Sequence, residues 1–342
     1  MIERGHSVLF VSRNKDMEHA LLNIYGIPFI SRGKGKVSRL GKFIYLIYAN
    51  FRLLEIAKQF KADLFLNFLH PYPSHVAKIL GKVSLVFGDT EHARLHQKLT
   101  VPFATKVFTP ACYRHDMGSK QIRFNGYMEM AYLHPKHFTP DAYVLNLLNV
   151  SESEKFVIVR FVSWAATHDF GHTGISLENK IKAIQLLSQH AKVFITAEGL
   201  LPADLEKYRV KIPFHKMHDA LYYSSLVFGE SATMASEAAM LGTPAIFIDN
   251  DGRGYTDEEE SKYGIVFNFT ESLDDQERAI NRALEILQDE KSKERYKHIR
   301  RKIVSDCIDT TEFMINEVLK YEPNKLKNQY QVTSSAKVNQ SV

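Results

Sequence analysis

Short apolar runs alternate along this chain with stretches where apolar residues recur every three or four positions. The runs at 7–11 (SVLFV), 27–30, 63–67 (DLFLN), 83–87 (VSLVF) and 106–109 (KVFT) read as strands. Between them, 15–25 reads as a helix with Met17, Ala20, Leu21 and Ile24 on one face and Gly26 as its stop. Residues 38–60, 73–80 and 91–99 carry further helical patterns. The segment 132–141 (YLHPKHFTPD) holds two prolines and breaks the rhythm. The alternation then resumes. Strands are expected at 156–162 (FVIVRFV), 191–196 (AKVFIT), 226–228 and from 245 to 249. Helices are expected at 178–189, 216–223, 233–241, 274–287, 292–305 and 310–321. Strand–helix alternation of this kind predicts parallel, doubly wound α/β sheets.

Two such halves predict two Rossmann-like domains facing a cleft, with a C-terminal helix crossing back to the first domain. The expected division is an N-terminal domain over 1–134, an interdomain link over 135–150 and a C-terminal domain over 151–321. The polar stretch 322–342 is expected to be a disordered tail. The opening MIERG reads as the last turn of a helix running into a strand. A central strand and its Gly-rich turn are therefore expected to lie upstream of the given start.

Bulk properties narrow the class. The 342 residues are 45% hydrophobic and 24% charged, as in soluble globular proteins. The net charge of +5 is spread along the chain, so no nucleic-acid partner is expected. No apolar run approaches the roughly 18 residues of a membrane span, and the first residues lack the apolar core of a signal peptide. Cys112 and Cys307 form neither a disulfide framework nor a CxxC site. A cytoplasmic location is expected. The basic stretch 32–42 (RGKGKVSRLGK) carries five positive charges, suited to a peripheral membrane contact, an anionic acceptor or a plain solvated loop.

The most informative stretch is 229–248, GESATMASEAAMLGTPAIFI. Gly229, Ser231, Ala232 and Thr233 make a small-residue turn into a helix, and Gly242 and Pro244 mark its end. Small residues let a phosphate approach the backbone, and the helix start favours anionic charge. Glu237, about one turn in, suits the vicinal hydroxyls of a ribose. The same residues also suit a plain β–loop–α unit with a solvated glutamate.

Several polar groups follow predicted strands, where open α/β sheets place ligands. Asp89, Glu91 and His92 (GDTEH) offer acid–base groups or a helix cap. Arg160, Trp164, His168, Asp169 and His172 end and follow the first strand of the second half, and Trp164 would line a sugar face. Glu198 (AEGLLP) and Tyr255 or Asp257 (GYTDE) are further ligand-side candidates, as are His215 and His218. The acidic and histidine clusters together also suit a divalent ion, but no HExxH is present and no metal is expected.

The stretch 229–248 resembles the nucleotide-binding segment of GT-B-fold glycosyltransferases and UDP-N-acetylglucosamine 2-epimerases, with its small turn, Glu-Ala and Leu-Gly-x-Pro. The chain is also similar to the family called domain of unknown function 354. The segments GHSVLFVSRNKD, FGDTEHARLHQKLTVPFA, NGYMEMAYLHPKHFTPD, VRFVSWAATHDFGHTGIS, AEGLLP, HDALYYSSLVFGESATMASEAAMLGTPAIFI and GYTDEEESKYG carry that similarity. The resemblance implies a GT-B-like fold, phosphate contact at Ser231–Thr233 and a ribose-binding role for Glu237. Ala-Thr stands where the epimerases have Gly-Gly, leaving less room beside the backbone. A proton-transfer role falls to Glu91, and a histidine in 168–172 matches a loop of the epimerases. The implied function is a sugar-nucleotide-dependent glycosyltransferase of polysaccharide or glycoconjugate synthesis. A UDP-like donor would be its substrate, with no permanently bound cofactor, and a sugar, lipid-linked or glycan acceptor its partner. A UDP-amino-sugar 2-epimerase and a non-catalytic nucleotide-sugar-binding protein are the alternatives.

Overall fold

The computed structural model describes residues 1–14, 16–35, 38–162, 173–197 and 199–321. Its contacts divide the chain into two compact units. The first comprises Met1–Thr109, His115–Phe124 and the chain from Thr311 onward; the second comprises Pro110–Arg114 and Asn125–Thr310.

In the first unit, β1 (Phe10–Ser12) and β2 (Phe29–Ser31) pair in parallel around α1 (Asp16–Ile24). The long α2 (Arg39–Phe60) follows. Its N-cap, Ser38, accepts a hydrogen bond from the Gly41 amide at 3.1 Å. A second sheet runs in the order β3 (Leu64–Phe68), β4 (Val83–Phe87), β5 (Lys106–Pro110) and β6 (Gln121–Phe124). The β3–β4 and β4–β5 pairs are parallel. Between β3 and β4 lies α3 (Pro71–Leu80), opened by Pro71 in its first turn and closed by Gly81 in the left-handed conformation. The helix expected at 91–99 is α4 (Arg94–Thr100), so Glu91 and His92 lie in the turn before it.

The first helices of the second unit are α5 (Met130–Leu133), just before the stretch 135–150 read as a link, and α6 (Tyr143–Leu148), inside it. Its sheet is built from β7 (Phe156–Phe161), β8 (Lys192–Ala197), β9 (Leu226–Gly229), β10 (Ala245–Ile248) and β11 (Val266–Phe269). All are parallel, in the order β11-β10-β9-β7-β8. The central strands are apolar almost throughout, because helices cover both faces of such a sheet. The helices are α7 (Leu177–Leu187), α8 (Ala203–Glu206), α9 (Met217–Tyr223), α10 (Ala232–Leu241), α11 (Gly254–Glu258), α12 (Leu273–Gln288) and α13 (Ser292–Asp306). One turn of π-helix, Glu259–Tyr263, extends α11. Finally α14 (Thr310–Leu319) joins the first unit from Thr311 on, and Phe313 packs there against Phe87, Phe108 and Phe124. No helix among the described residues is long and apolar enough to cross a membrane.

Candidate functional site

The strand order of the second unit fixes where a ligand is expected. Counted within the unit, β7 is first and β8 second, so the sheet runs second, first, third, fourth, fifth. The chain leaves β7 toward β8 on one side and returns to β9 on the other. The carboxyl ends of β7 and β9 therefore flank the topological switch point, where doubly wound sheets open a crevice.

Gly229 ends β9 there, in register with Arg160 of β7. Its φ is +152°, and a Cβ at this position would stand 2.0 Å from the Arg160 carbonyl oxygen. Only glycine permits this approach. The Glu230 amide then donates to the same carbonyl at 3.0 Å. Ser231 caps α10, its Oγ accepting from the Met234 amide at 3.3 Å. The amides of Ala232 and Thr233 lie at the helix start, where no intrahelical acceptor exists. Thr233 is exposed at this end of α10.

Alanines 232, 235, 238 and 239 of α10 are all buried. Their small side chains suit close packing, and alanine favours helix. Glu237 breaks the series. Its Oε1 accepts from His218 Nε2 of α9 and from Tyr132 Oη of α5, each at 3.0 Å. The Tyr132 and His218 rings lie 5.4 Å apart. Oε2 makes no hydrogen bond among the described residues. Glu237 is thus oriented through one oxygen of its carboxylate.

Its neighbour Glu230 has a different task. Its side chain is fully buried, accepting from the Val162 amide at 2.8 Å and the Ile175 amide at 2.6 Å, with Lys180 Nζ at 3.4 Å. Glu271 accepts from the Thr173 and Gly174 amides at 2.7 and 2.9 Å. These carboxylates anchor the chain where it leaves β7 and where it enters α7. Nothing in the local sequence distinguished Glu230 from the turn around it.

A second acid group lies beneath α10. Glu259 is fully buried, and Ser236 Oγ donates to its Oε1 at 2.5 Å. Its Oε2 has no partner. Burial, then the nearby Glu129 carboxylate, hold its pKa well above the usual range and favour the protonated form. Tyr127 donates to Glu258 at 2.6 Å, and burial first raises the Tyr127 pKa.

The remaining candidates disperse. Arg160 donates to Thr196 Oγ1 on β8 at 3.1 Å. Tyr255 is buried in the core of the unit. Asp257 is held by Arg114 through Nε at 2.9 Å and Nη2 at 2.5 Å. In the first unit, Asp89, Glu91 and His92 share the loop after β4; Glu91 is buried and His92 exposed. Thr90 donates to Asp89 at 2.9 Å. Trp164, His168, Asp169, His172 and Glu198 lie outside the described residues.

One cluster of metal-ligand type exists among the described residues: His134, His137 and Asp309, with ligand atoms within 4.8 Å of one another. His137 Nε2 stands 2.9 Å from Asp309, and Lys136 Nζ 3.6 Å from it. The Lys136 amide donates to His134 Nδ1 at 3.2 Å, and burial lowers the His134 pKa. Lys136 thus places a cation beside Asp309.

The chain is a mixed α/β protein with parallel sheets, and its likeness to solved structures gives it a GT-B-like fold. The chain belongs to the family described as "Protein of unknown function (DUF354)", which matches residues 1–322. No curated protein matches the sequence. Solved structures share the fold at low identity. The UDP-GlcNAc 2-epimerase from Neisseria meningitidis, bound to UDP-GlcNAc, is 13% identical, with TM-score 0.67 over 93% of this chain and 94% of that one. Spinosyn forosaminyltransferase is 12% identical, with TM-score 0.61 over 94% and 93%. Spinosyn rhamnosyltransferase, complexed with spinosyn aglycone, is 11% identical, with TM-score 0.57 over 92% and 93%.

Proposed function

We propose that the second unit binds the nucleotide of a UDP-like sugar donor at the β7/β9 switch point. On this reading the chain is a sugar-nucleotide-dependent glycosyltransferase of polysaccharide or glycoconjugate synthesis. The carrying observation is Glu237, fixed through Oε1 by His218 and Tyr132, with Oε2 left for ligand hydroxyls. The helix start at Ser231–Thr233 suits the diphosphate. In transfer, an acceptor hydroxyl loses its proton and attacks the anomeric carbon, and the nucleoside diphosphate leaves. Charge developing on that leaving group is stabilised by the amides and dipole of α10. The proton-accepting role is assigned to Glu91, on the loop after β4. A sugar, lipid-linked glycan or free glycan serves as acceptor, and no permanent cofactor is needed.

Calorimetry with UDP-sugars, on the protein and on Glu237→Ala, tests the binding step. Binding lost in the variant supports the reading; equal binding overturns it. Turnover then separates the chemistry. Transfer requires an acceptor, whereas the alternative UDP-amino-sugar 2-epimerase changes the donor alone. Binding without turnover under either condition would identify a non-catalytic nucleotide-sugar-binding protein.

A further inference from the structure

A cavity of about 700 Å³ opens at the amino ends of strands in the second unit's sheet. The chain reaches it at Lys155, Ser225 and Pro244, just before β7, β9 and β10 begin. It therefore lies at the Gly242 end of α10, away from the Ser231 cap. Its volume falls in the range of small-molecule sites.

One wall is α13, SKERYKHIRRKIVSD, with six Lys and Arg residues against Glu294 and Asp306. Lys293, Lys297, Arg300 and Arg301 line the cavity. Spacings of three and four residues place them along one helix face. Arg300 is half-buried and its guanidinium lies 5.3 Å from the centre of the Tyr222 ring. Burial disfavours its charged form, and no carboxylate among the described residues offsets that cost.

Helices α9, α10 and α12 all end at this cavity, and helix ends carry partial negative charge. Two cations already answer it. Arg300 Nε donates to the Met240 carbonyl at 3.1 Å, and Lys155 Nζ to the Leu287 carbonyl at 2.6 Å. Of the rim acids, Asp289 is paired with Arg295 at 2.6 Å and Glu154 with Lys192 at 3.8 Å, while Glu152 and Glu290 are exposed. Lys293, Lys297 and Arg301 make no ion pair among the described residues. Beyond the two cations bonded to the α10 and α12 ends, these three and the outer nitrogens of Arg300 form a cationic surplus beside a tyrosine face.

We propose that this cavity binds a phosphate ester. The phosphate sits among Lys297, Arg300 and Arg301, and the carbon portion lies against Tyr222 and Val304. A soluble organic phosphate and the headgroup of an anionic lipid share that chemistry. The site is separate from the nucleotide reading and stands without it.

The test measures binding of glycerol phosphate by calorimetry and of phosphatidylglycerol vesicles by flotation. It uses the full chain, the double variant Lys297→Gln/Arg301→Gln and Glu237→Ala. Lys297 and Arg301 are exposed, so the double variant folds. The expected result is saturable binding of one probe or both, weakened on the order of tenfold in the double variant and unchanged in Glu237→Ala. Binding of glycerol phosphate alone supports a soluble ester, and binding of vesicles supports a headgroup. No saturable binding of either probe overturns the proposal. So does equal binding by the protein and the double variant, or weakening in Glu237→Ala.

Discussion

His218 Nε2 donates to Glu237 Oε1 at 3.0 Å, and Tyr132 reaches the same oxygen at the same distance. Two donors on one oxygen fix the carboxylate; on the reading proposed above, its second oxygen takes the ligand hydroxyls. Charged hydrogen bonds of this kind contribute about 1.5–3 kcal/mol each. Glu237→Ala is expected to weaken UDP binding by roughly tenfold to a hundredfold. Tyr132→Phe and His218→Ala keep the ligand's acceptor but loosen it, so a loss of about two- to fivefold is expected. Calorimetric titration with UDP measures all three. Equal losses in the three variants would contradict the division between contact and support.

Gly229→Ala is expected to destabilise the second unit. The added Cβ would meet the Arg160 carbonyl at 2.0 Å, inside the β7–β9 pairing, at a φ that disfavours side chains. A cost of about 3 kcal/mol or more follows from overpacking and strain together. Urea denaturation reads it directly. An unchanged midpoint would mean that β9 leaves β7 by another path.

Much of this fold is legible because parallel strands covered on both faces become continuous apolar runs. VSLVF and FVIVRF are read without difficulty. The strands missed are β6 (QIRF) and β11 (VFNF), which lie at sheet edges and carry polar residues inside the strand. The turn at 229–233 is equally local. The rest of the site is not. Tyr132 and His218 lie 105 and 19 residues from Glu237. Glu230 reaches amides 68 and 55 residues away. Only the strand order brings such groups together, and no spacing in the chain announces it.

Glu230 tests that point. Glu230→Ala leaves the Val162 and Ile175 amides and the Lys180 ammonium without their buried acceptor. Breaking one member of such a group costs about 3–5 kcal/mol. Glu230→Gln retains one carbonyl oxygen but turns an NH2 toward a second donor, so most of that loss is expected to remain. Urea midpoints of the two variants check this. A wild-type midpoint for Glu230→Gln would show that one of the two amide bonds carries nothing.

Glu259 makes stability depend on pH in the opposite sense to a salt-bridged carboxylate. Its carboxyl is held above the usual 4.5 in the folded chain, chiefly by burial and next by Glu129. Well below that value both states keep the proton, and the group has no effect. As pH rises through about 4.5, the unfolded chain releases the proton first. The unfolded state is then favoured, and stability falls with rising pH until the folded carboxyl also ionises. Glu259→Gln keeps an acceptor for Ser236 and cannot ionise. It is expected to match the wild type near pH 4 and to exceed it at pH 8, with the gap opening as pH rises above about 4.5 and levelling off once the folded carboxyl ionises. Chemical denaturation of both proteins across that range measures the gap. A constant difference would show that Glu259 ionises alike in the two states, and a gap that narrows as pH rises would mean that the folded chain holds the anion.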